Sequence, residues 1–408
     1  MNVLVAMSGG VDSSVAAALL AEAGHRVMGA TMLLLHKETE FGCCGSTRDI
    51  EDARAVCARM GVPHYVLDFS GSFEKNIVNP FVDSYLAGET PNPCIACNRH
   101  VKFDALLKKA MALGADAVAT GHYARVVKKE VTTQIPHPAL SQEEREKQDF
   151  LPLLGEGGPE GRMRAEELQK ETEKPLFRLK RALYPEKDQS YALYHLGQAE
   201  LARVLFPVGN LTKPEVRATA HRLGLKIADK KESMDICFIP NGDTPGFVKS
   251  RAEQTGRFSP TLSPGPIKDL KGTVLGTHRG VAYYTRGQRS GLGVSLGRPV
   301  YVVSLNAETN TLYLGDDTDT ECQETTVTDT VWSDGSVPTK PQDFLVQIRS
   351  RHTPAKARVF PTPDGARVVF ETPQRAVTPG QAAVFYEGDE VRGGGRVAEV
   401  ILVTREDV

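Results

Sequence analysis

The sequence predicts a doubly wound α/β domain built on a parallel sheet, followed by a small β module and a C-terminal β-barrel. Three observations carry that expectation. The 408 residues exceed what one hydrophobic core serves, since cores stop growing at about 250 to 300 residues. The first part alternates apolar strand-like runs with helical runs that end on glycine. From about Gly246 the pattern changes to short Val-, Tyr- and Thr-rich runs punctuated by Gly, Pro, Asn and Asp.

Residues 2–7 read as a first strand and 12–23 as an Ala/Leu helix closed by Gly24. Further strands are expected at 26–34, 64–69 and 117–122, with helices at 49–60 and 103–113 that stop at Gly61 and Gly114. Residues 128–174 are polar, rich in Glu, Gln, Pro and Gly and without apolar periodicity, which reads as an insertion or mobile loop. The pattern recovers at 190–196. A helix over 213–223 has Thr212 as N-cap, Pro214 in its first turn and Gly224 after its end. In the β-rich part the strand candidates are 300–305, 311–314, 344–348, 367–371 and 382–386, with a break near Asn310. The expected domains are therefore 1–245 with the insertion at about 128–174, 246–310, and 311–408.

A hydrophobic fraction of 40% with 25% charged residues is ordinary for a folded soluble protein and argues against wholesale disorder. No run approaches the roughly 20 apolar residues of a membrane span, and MNVLVAMSGG carries no basic leader, so a cytoplasmic protein without membrane contact is expected. Seven cysteines in so long a chain speak for thiols kept for chemistry, metal or packing rather than a secreted disulfide framework. A net charge of -2 gives nothing in favour of a dedicated basic binder of nucleic acid, so any such contact must be local. Basic clusters stand at Arg178, Lys180, Arg181 and Lys187, at Arg286 and Arg289, and at Arg349, Arg351 and His352, although each alone reads as a solvated face.

Residues 8–14, SGGVDSS, lie between the first strand and the first helix. Adjacent glycines let backbone approach an anion closely, and the serines with the helix's free N–H groups can bind phosphate oxygens. Neither GxxxxGK[ST] nor GxGxxG occurs, so the usual phosphoryl-transfer and nicotinamide loops are missing. Residues 92–103, NPCIACNRHVKF, place Cys94 and Cys97 as C-x-x-C near a helix start, where the helix end and Arg99 or Lys102 favour a thiolate. Residues 231–240, KESMDICFIP, present Cys237, which by itself reads more readily as core than as catalyst.

In order and wording these segments, with TGHYAR at 120–125, KDQSY at 187–191, ICFI at 236–239 and GQRSGLG at 287–293, resemble the tRNA-specific 2-thiouridylase family of PP-loop ATP pyrophosphatases. The resemblance spans most of the chain and implies an ATP-dependent tRNA sulfurtransferase. It implies that Ala6, Met7, Ser8, Gly9, Gly10, Val11, Asp12 and Ser13 hold ATP, with Met32 and Gly121 beside the nucleotide and Asp12 placing its Mg²⁺. Cys237 is then the persulfide carrier and Cys97 the second thiol, and turnover leaves a Cys97–Cys237 disulfide after a loop movement brings the two together. Lys187, Asp188, Gln189, Arg349, Ser350 and His352 correspond to tRNA contacts, with His122 beside the site. The implied partners are a tRNA with a modifiable wobble uridine and a persulfide sulfur-donor protein, not DNA.

Some family members carry Asp where this chain has Cys94. Cys94, Cys97 and Cys237 could therefore ligate an iron-sulfur cluster in a thiolase of that kind, or Cys43 or Cys44 could complete a zinc site. Cys57 and Cys322 read as packing. An amidating synthetase shares the phosphate loop but needs no paired cysteines, and an iron-sulfur RNA-binding sensor leaves the loop without a use.

Overall fold

The structure, a computed structural model, describes residues 1–35, 45–129, 175–230 and 236–402. Cys43, Cys44 and nearly all of the stretch expected as an insertion lie outside them. Residues 1–127 and 178–408 make one compact unit and 128–177 a second.

The N-terminal sheet of the first unit contains β1 (Asn2–Ala6), β2 (Arg26–Leu33), β3 (His64–Asp68), β4 (Ala117–Ala119) and, after β5 (Ala124–Lys129) and β6 (Leu176–Arg181), β7 (Val204–Leu205). The order is β3-β2-β1-β4-β7, and every neighbouring pair is parallel. The chain builds outward from β1 through β3, then returns to the other side of β1, which opens a crevice beyond the carboxyl ends of β1 and β4. Covered on both faces, β1 is apolar from Val3 to Ala6, with Val3, Leu4 and Val5 at 0% exposure.

Helix α1 (Val11–Glu22) follows β1 directly and α2 (Thr47–Arg59) precedes β3, capped by Ser46 Oγ, which accepts the Asp49 N–H at 3.2 Å. The helix expected from 103 begins earlier: Pro93–Cys97 leads through a π-type stretch, Asn98–Ala105, into Leu106–Ala112. The strand expected over 117–122 stops at Ala119, so that 120–122 turn into the crevice.

The composition change near Gly246 hides a helix, Thr244–Gln254, whose Val248 and Ala252 are buried in the core of the first domain. The following sheet has β8 (Gly265–Asp269), β9 (Val274–His278), β10 (Tyr301–Asn306) and β11 (Thr311–Gly315) in the order β10-β11-β8-β9 around Ile267, Val302 and Leu312. Asn310 is the positive-φ turn residue of the β10–β11 hairpin (φ 46), so a boundary at 310 would separate strands that are hydrogen-bonded to each other. Turn chemistry and a domain break look alike in sequence. Finally β12 (Glu321–Trp332), β13 (Gln342–Gln347), β14 (Ala355–Thr362), β15 (Gly365–Arg375), β16 (Ala382–Glu387) and β17 (Glu390–Leu402) form an antiparallel barrel. It closes because β12 pairs with both β15 and β17 around Phe344, Phe370 and Phe385.

Candidate functional site

A cavity of about 370 Å³ fills the crevice beyond β1 and β4. Ala6, Met7, Ser8, Gly10, Val11, Asp12, Ser13, Met32 and Gly121 line it, together with Cys94, Cys97, Cys237, His122 and Gln189. Gly9 is behind this lining, at φ +69, where a Cβ would come within 2.6 Å of Asp49 Cα. Gly121 is equally constrained: its Cβ would lie 2.6 Å from Ser13 N, so only glycine lets the end of β4 pass over the start of α1.

Within the loop Ser13 Oγ accepts from Ser8 N at 3.2 Å and donates to Gly10 O at 3.2 Å, while Ser14 Oγ donates to Gly10 O at 2.9 Å. Gly10 is the extended N-cap of α1, without a side-chain cap. A helix start of this kind, backed by close glycines and facing a cavity, is built to receive phosphate. Asp12 Oδ1 accepts from Tyr123 Oη at 2.7 Å and from Lys213 Nζ at 2.7 Å. Lys230 Nζ donates to Gly9 O (3.0 Å), Asp49 Oδ1 (2.9 Å) and Asp52 Oδ2 (2.6 Å). Burial pulls the pKa of the Lys230 ammonium down, but its bonds to Asp52 and Asp49 outweigh that and leave it above the ordinary value. Lys102 also lines the cavity.

Sequence reasoning missed Lys213, Tyr123 and Lys230 as site residues, and read Lys102 only as a neighbour of the thiols. Lys213 and Tyr123 stood inside quoted segments, as a helix start and a motif letter, but which side chain turns inward depends on packing between elements far apart in sequence.

Cys97 is 8% exposed, Cys94 is exposed and Cys237 is intermediate. Asn92 Oδ1 caps the helix that carries the first two, accepting from Cys94 N at 3.2 Å and Ile95 N at 3.4 Å, with Pro93 in its first turn. The ring of Phe238, the residue after Cys237, packs edge-on against Phe73 and Phe81. Among the described residues no three His, Cys, Asp or Glu side chains gather as a metal-binding set. Among the described residues, Cys94, Cys97 and Cys237 are therefore not gathered as the ligand set of an iron-sulfur cluster. Burial pushes the thiols of Cys57 and Cys322 up to about 11, as for packing residues.

His122 Nδ1 pairs with Thr120 Oγ1 at 2.6 Å, and its ring packs among Phe103 and Phe206. Burial, then the charge of Lys102, holds its pKa well below the ordinary value, so the imidazole is neutral at physiological pH.

Several of the residues expected to touch RNA are held by hydrogen bonds within the protein. Gln189 Oε1 accepts from Tyr123 N at 2.9 Å, which links the 187–189 turn to the cavity. The carboxylate of Asp188 takes Arg181 Nη1 (2.9 Å), Ala182 N (2.9 Å), Ser190 N (3.1 Å) and Ser190 Oγ (2.9 Å) and is 7% exposed. Its oxygens are committed within the protein, so Asp188 holds the turn that carries Lys187 and Gln189. Arg181 Nη2 also donates to Gln347 Oε1 at 3.0 Å, and Gln347 Nε2 donates to the carbonyls of Arg349 (3.0 Å) and Ser350 (2.9 Å). The 349–352 turn is closed by His352 N donating to Arg349 O at 3.0 Å.

Several basic residues read as clusters are spent internally. Arg178 pairs with Asp334, Lys180 with Asp389, and Arg286 is 7% exposed with Nη2 donating to Thr320 O.

Comparison with known proteins agrees along the whole chain. Residues 1–152 and 163–241 match a family described as the tRNA methyl transferase HUP domain. Residues 257–316 match the tRNA methyl transferase PRC-barrel domain, and 322–397 the Aminomethyltransferase beta-barrel domain. The chain is 42% identical over 401 residues to the tRNA-specific 2-thiouridylase MnmA of Acetivibrio thermocellus, covering 97% of this chain and 98% of that protein. With the enzyme of the same name from Moorella thermoacetica it is 44% identical over 409 residues, 98% of this chain and 100% of that one. Similarity of this degree, across every domain and both cysteine segments, places the chain in the tRNA-specific 2-thiouridylase family.

Proposed function

We propose that the protein replaces the C2 oxygen of a wobble uridine in tRNA with sulfur, using ATP to activate that oxygen and Cys237 to carry the sulfur as a persulfide. The carrying observation is that Cys97 and Cys237, remote in sequence, line the same cavity as the phosphate loop. An amidating synthetase has the loop but leaves both cysteines idle. Methyl transfer, the wording of the family descriptions, likewise gives no work to a phosphate loop beside two thiols.

Bound ATP supplies AMP to the uridine oxygen, turning a poor leaving group into a good one, with pyrophosphate released. The 8–13 loop and the start of α1 hold the phosphates, and Lys230 and Lys102 offset their charge. Mg²⁺ favours a carboxylate with phosphate oxygens, and Asp12, steadied by Tyr123 and Lys213, is the carboxylate at this loop. Neutral His122 can exchange hydrogen bonds with the uracil without adding charge.

The terminal sulfur of the Cys237 persulfide attacks C2. Cys97 thiolate then attacks Cys237 Sγ; the S–S bond to the transferred sulfur breaks, a Cys97–Cys237 disulfide forms, and AMP leaves with the original oxygen. A dithiol reductant restores both cysteines, and a persulfide-bearing donor protein reloads Cys237. The reacting base is flipped out of the anticodon stack, while Lys187, Gln189 and the 349–352 turn of the barrel hold the stem. No helix among the described residues is long and apolar enough to cross a membrane, and a cytoplasmic site of action accords with a tRNA substrate.

The test is mass spectrometry of tRNA nucleosides after incubation with anaerobically purified protein, ATP, Mg²⁺ and a persulfide donor. Sulfur is expected at the wobble uridine with the wild type and not with Cys97→Ser or Cys237→Ser. Cleavage of ATP without sulfur in any sample would return the amidating reading.

A further inference from the structure

The segment that enters the Cys94–Cys97 helix is fastened to both β-rich regions of the molecule through two residues. Thr90 N donates to Pro379 O at 3.0 Å, and Gln381 Nε2 donates to Thr90 O at 2.8 Å, so both peptide groups of Thr90 are bonded to the barrel. Thr90 Oγ1 donates to Thr285 Oγ1 at 3.1 Å, in the middle module. Glu89 pairs with Arg396 of β17. The approach is close enough to require glycine opposite: Gly380 has φ +90, and a Cβ there would stand 3.0 Å from Thr90 C and O.

Each anchor is itself rigid. Gln381 is clamped to β17, its carbonyl accepting Val397 N at 2.8 Å, one residue from Arg396. Thr285 leads into the GQRSGLG segment, which the catalytic proposal leaves without a role. There Thr285 N donates to Gln288 Oε1 at 3.1 Å, and Gly287 N and Gln288 O exchange hydrogen bonds with Val302 of β10 at 2.8 and 2.9 Å. Gly287 also touches the barrel, since a Cβ on it would lie 2.6 Å from Ala376 Cβ. Thr90 is thus a three-way junction only a few residues ahead of the Asn92 cap and the two cysteines.

We infer that Glu89 and Thr90, with Gln381, Arg396 and Thr285 as their anchors, are positioning residues that transmit the seating of RNA on the barrel to the Cys94–Cys97 helix. A rigid-body shift of the barrel or middle module that keeps these bonds moves Thr90, and through the two residues that follow it the Asn92 cap of that helix. The GQRSGLG segment sets the position of Thr285 in this junction. The inference rests on the proposed tRNA substrate.

The experiment uses full-length protein and an unmodified tRNA transcript. It measures tRNA affinity, iodoacetamide alkylation of Cys97 resolved from Cys94 by peptide mass spectrometry with and without tRNA, and single-turnover sulfur transfer. In the wild type, bound tRNA is expected to change the Cys97 alkylation rate by about fivefold or more, the lower end of ordinary coupling between sites. In Gln381→Met and in Thr285→Val that change is expected to disappear and sulfur transfer to slow about tenfold, equivalent to about 1.4 kcal/mol of barrier, while tRNA affinity is retained; Thr285→Ser, which keeps the hydroxyl, restores both. A variant that binds tRNA and shows the wild-type change at Cys97 overturns the inference, as does a wild type whose Cys97 is indifferent to bound tRNA. A wild type that binds no tRNA defeats the thiolation reading itself.

Discussion

Lys213 Nζ lies 2.7 Å from Asp12 Oδ1 and ties the start of the helix Lys213–Arg222 to the phosphate loop, where α1 begins. The lysine side chain is 12% exposed and the aspartate 29%, so the pair is partly shielded from water. Lys213→Met is expected to cost about 1 kcal/mol of stability, discounted for the exposure of Asp12. The larger effect falls on chemistry: ATP-dependent pyrophosphate release should drop roughly 100-fold, the scale of losing one positioned electrostatic partner. Denaturant midpoints and a pyrophosphate assay check both, and an unchanged release rate would remove Asp12 orientation from the mechanism.

Gly121→Ala tests the fit of β4 over α1. Its methyl group would meet Ser13 N at 2.6 Å, against backbone that cannot swing aside. The expected result is a loss on the order of 100-fold in ATP-dependent activity from a displacement of the loop, with tRNA binding unaffected. Activity near wild type would show that the loop can shift without penalty.

Asp188 and Lys187 are adjacent and should behave in opposite ways. Removing a carboxylate that holds four donors strips Arg181 and two backbone N–H groups of that partner, so Asp188→Ala should destabilise the fold by about 3 kcal/mol. Lys187→Ala should act chiefly on RNA, weakening tRNA binding irrespective of sequence and reducing the salt slope of binding by about 1. If Asp188→Ala instead keeps full stability and loses only RNA affinity, its carboxylate faces the RNA.

His195 is 8% exposed, and its Nε2 finds no hydrogen-bond partner among the described residues. Burial, then the charges of Arg99 and His100, lowers its pKa to about 3. Below its unfolded pKa the unfolded chain takes up a proton that the folded chain refuses, so stability present above about pH 6.5 is lost as pH falls toward 3. At pH 5 the loss from this one group is about 2 kcal/mol. His195→Leu should flatten that region of the stability–pH curve; parallel curves for variant and wild type would place the titration elsewhere.

Much of the catalytic half is legible in the sequence. Strand, loop and helix at residues 2–22 announce themselves through an apolar run, two glycines and an Ala/Leu helix, because these preferences act within a few residues. The close-approach glycines Gly9 and Gly121 stand inside recognisable segments for the same reason, although what each approaches is not visible there. The helix Thr244–Gln254 is missed because its buried face is only Val248 and Ala252 among polar neighbours, and helicity there comes from packing against the first domain. Asn310 misleads because one residue type serves both a tight hairpin and a domain junction.

From sequence alone come the phosphate loop, the order of the motifs, the family and the two cysteines, Cys97 and Cys237, proposed to carry the sulfur chemistry, since each depends on residue type at short range or on ordered wording along the chain. Only tertiary structure decided that both cysteines share the cavity of the loop, that Lys213 and Tyr123 hold Asp12, that Asp188 is turned inward, and that Thr90 joins three regions of the molecule. Those relations connect residues up to about three hundred positions apart, as between Glu89 and Arg396. Local preference carries no information over such separations; they are fixed by which packed arrangement buries the apolar faces while pairing every buried polar group it can.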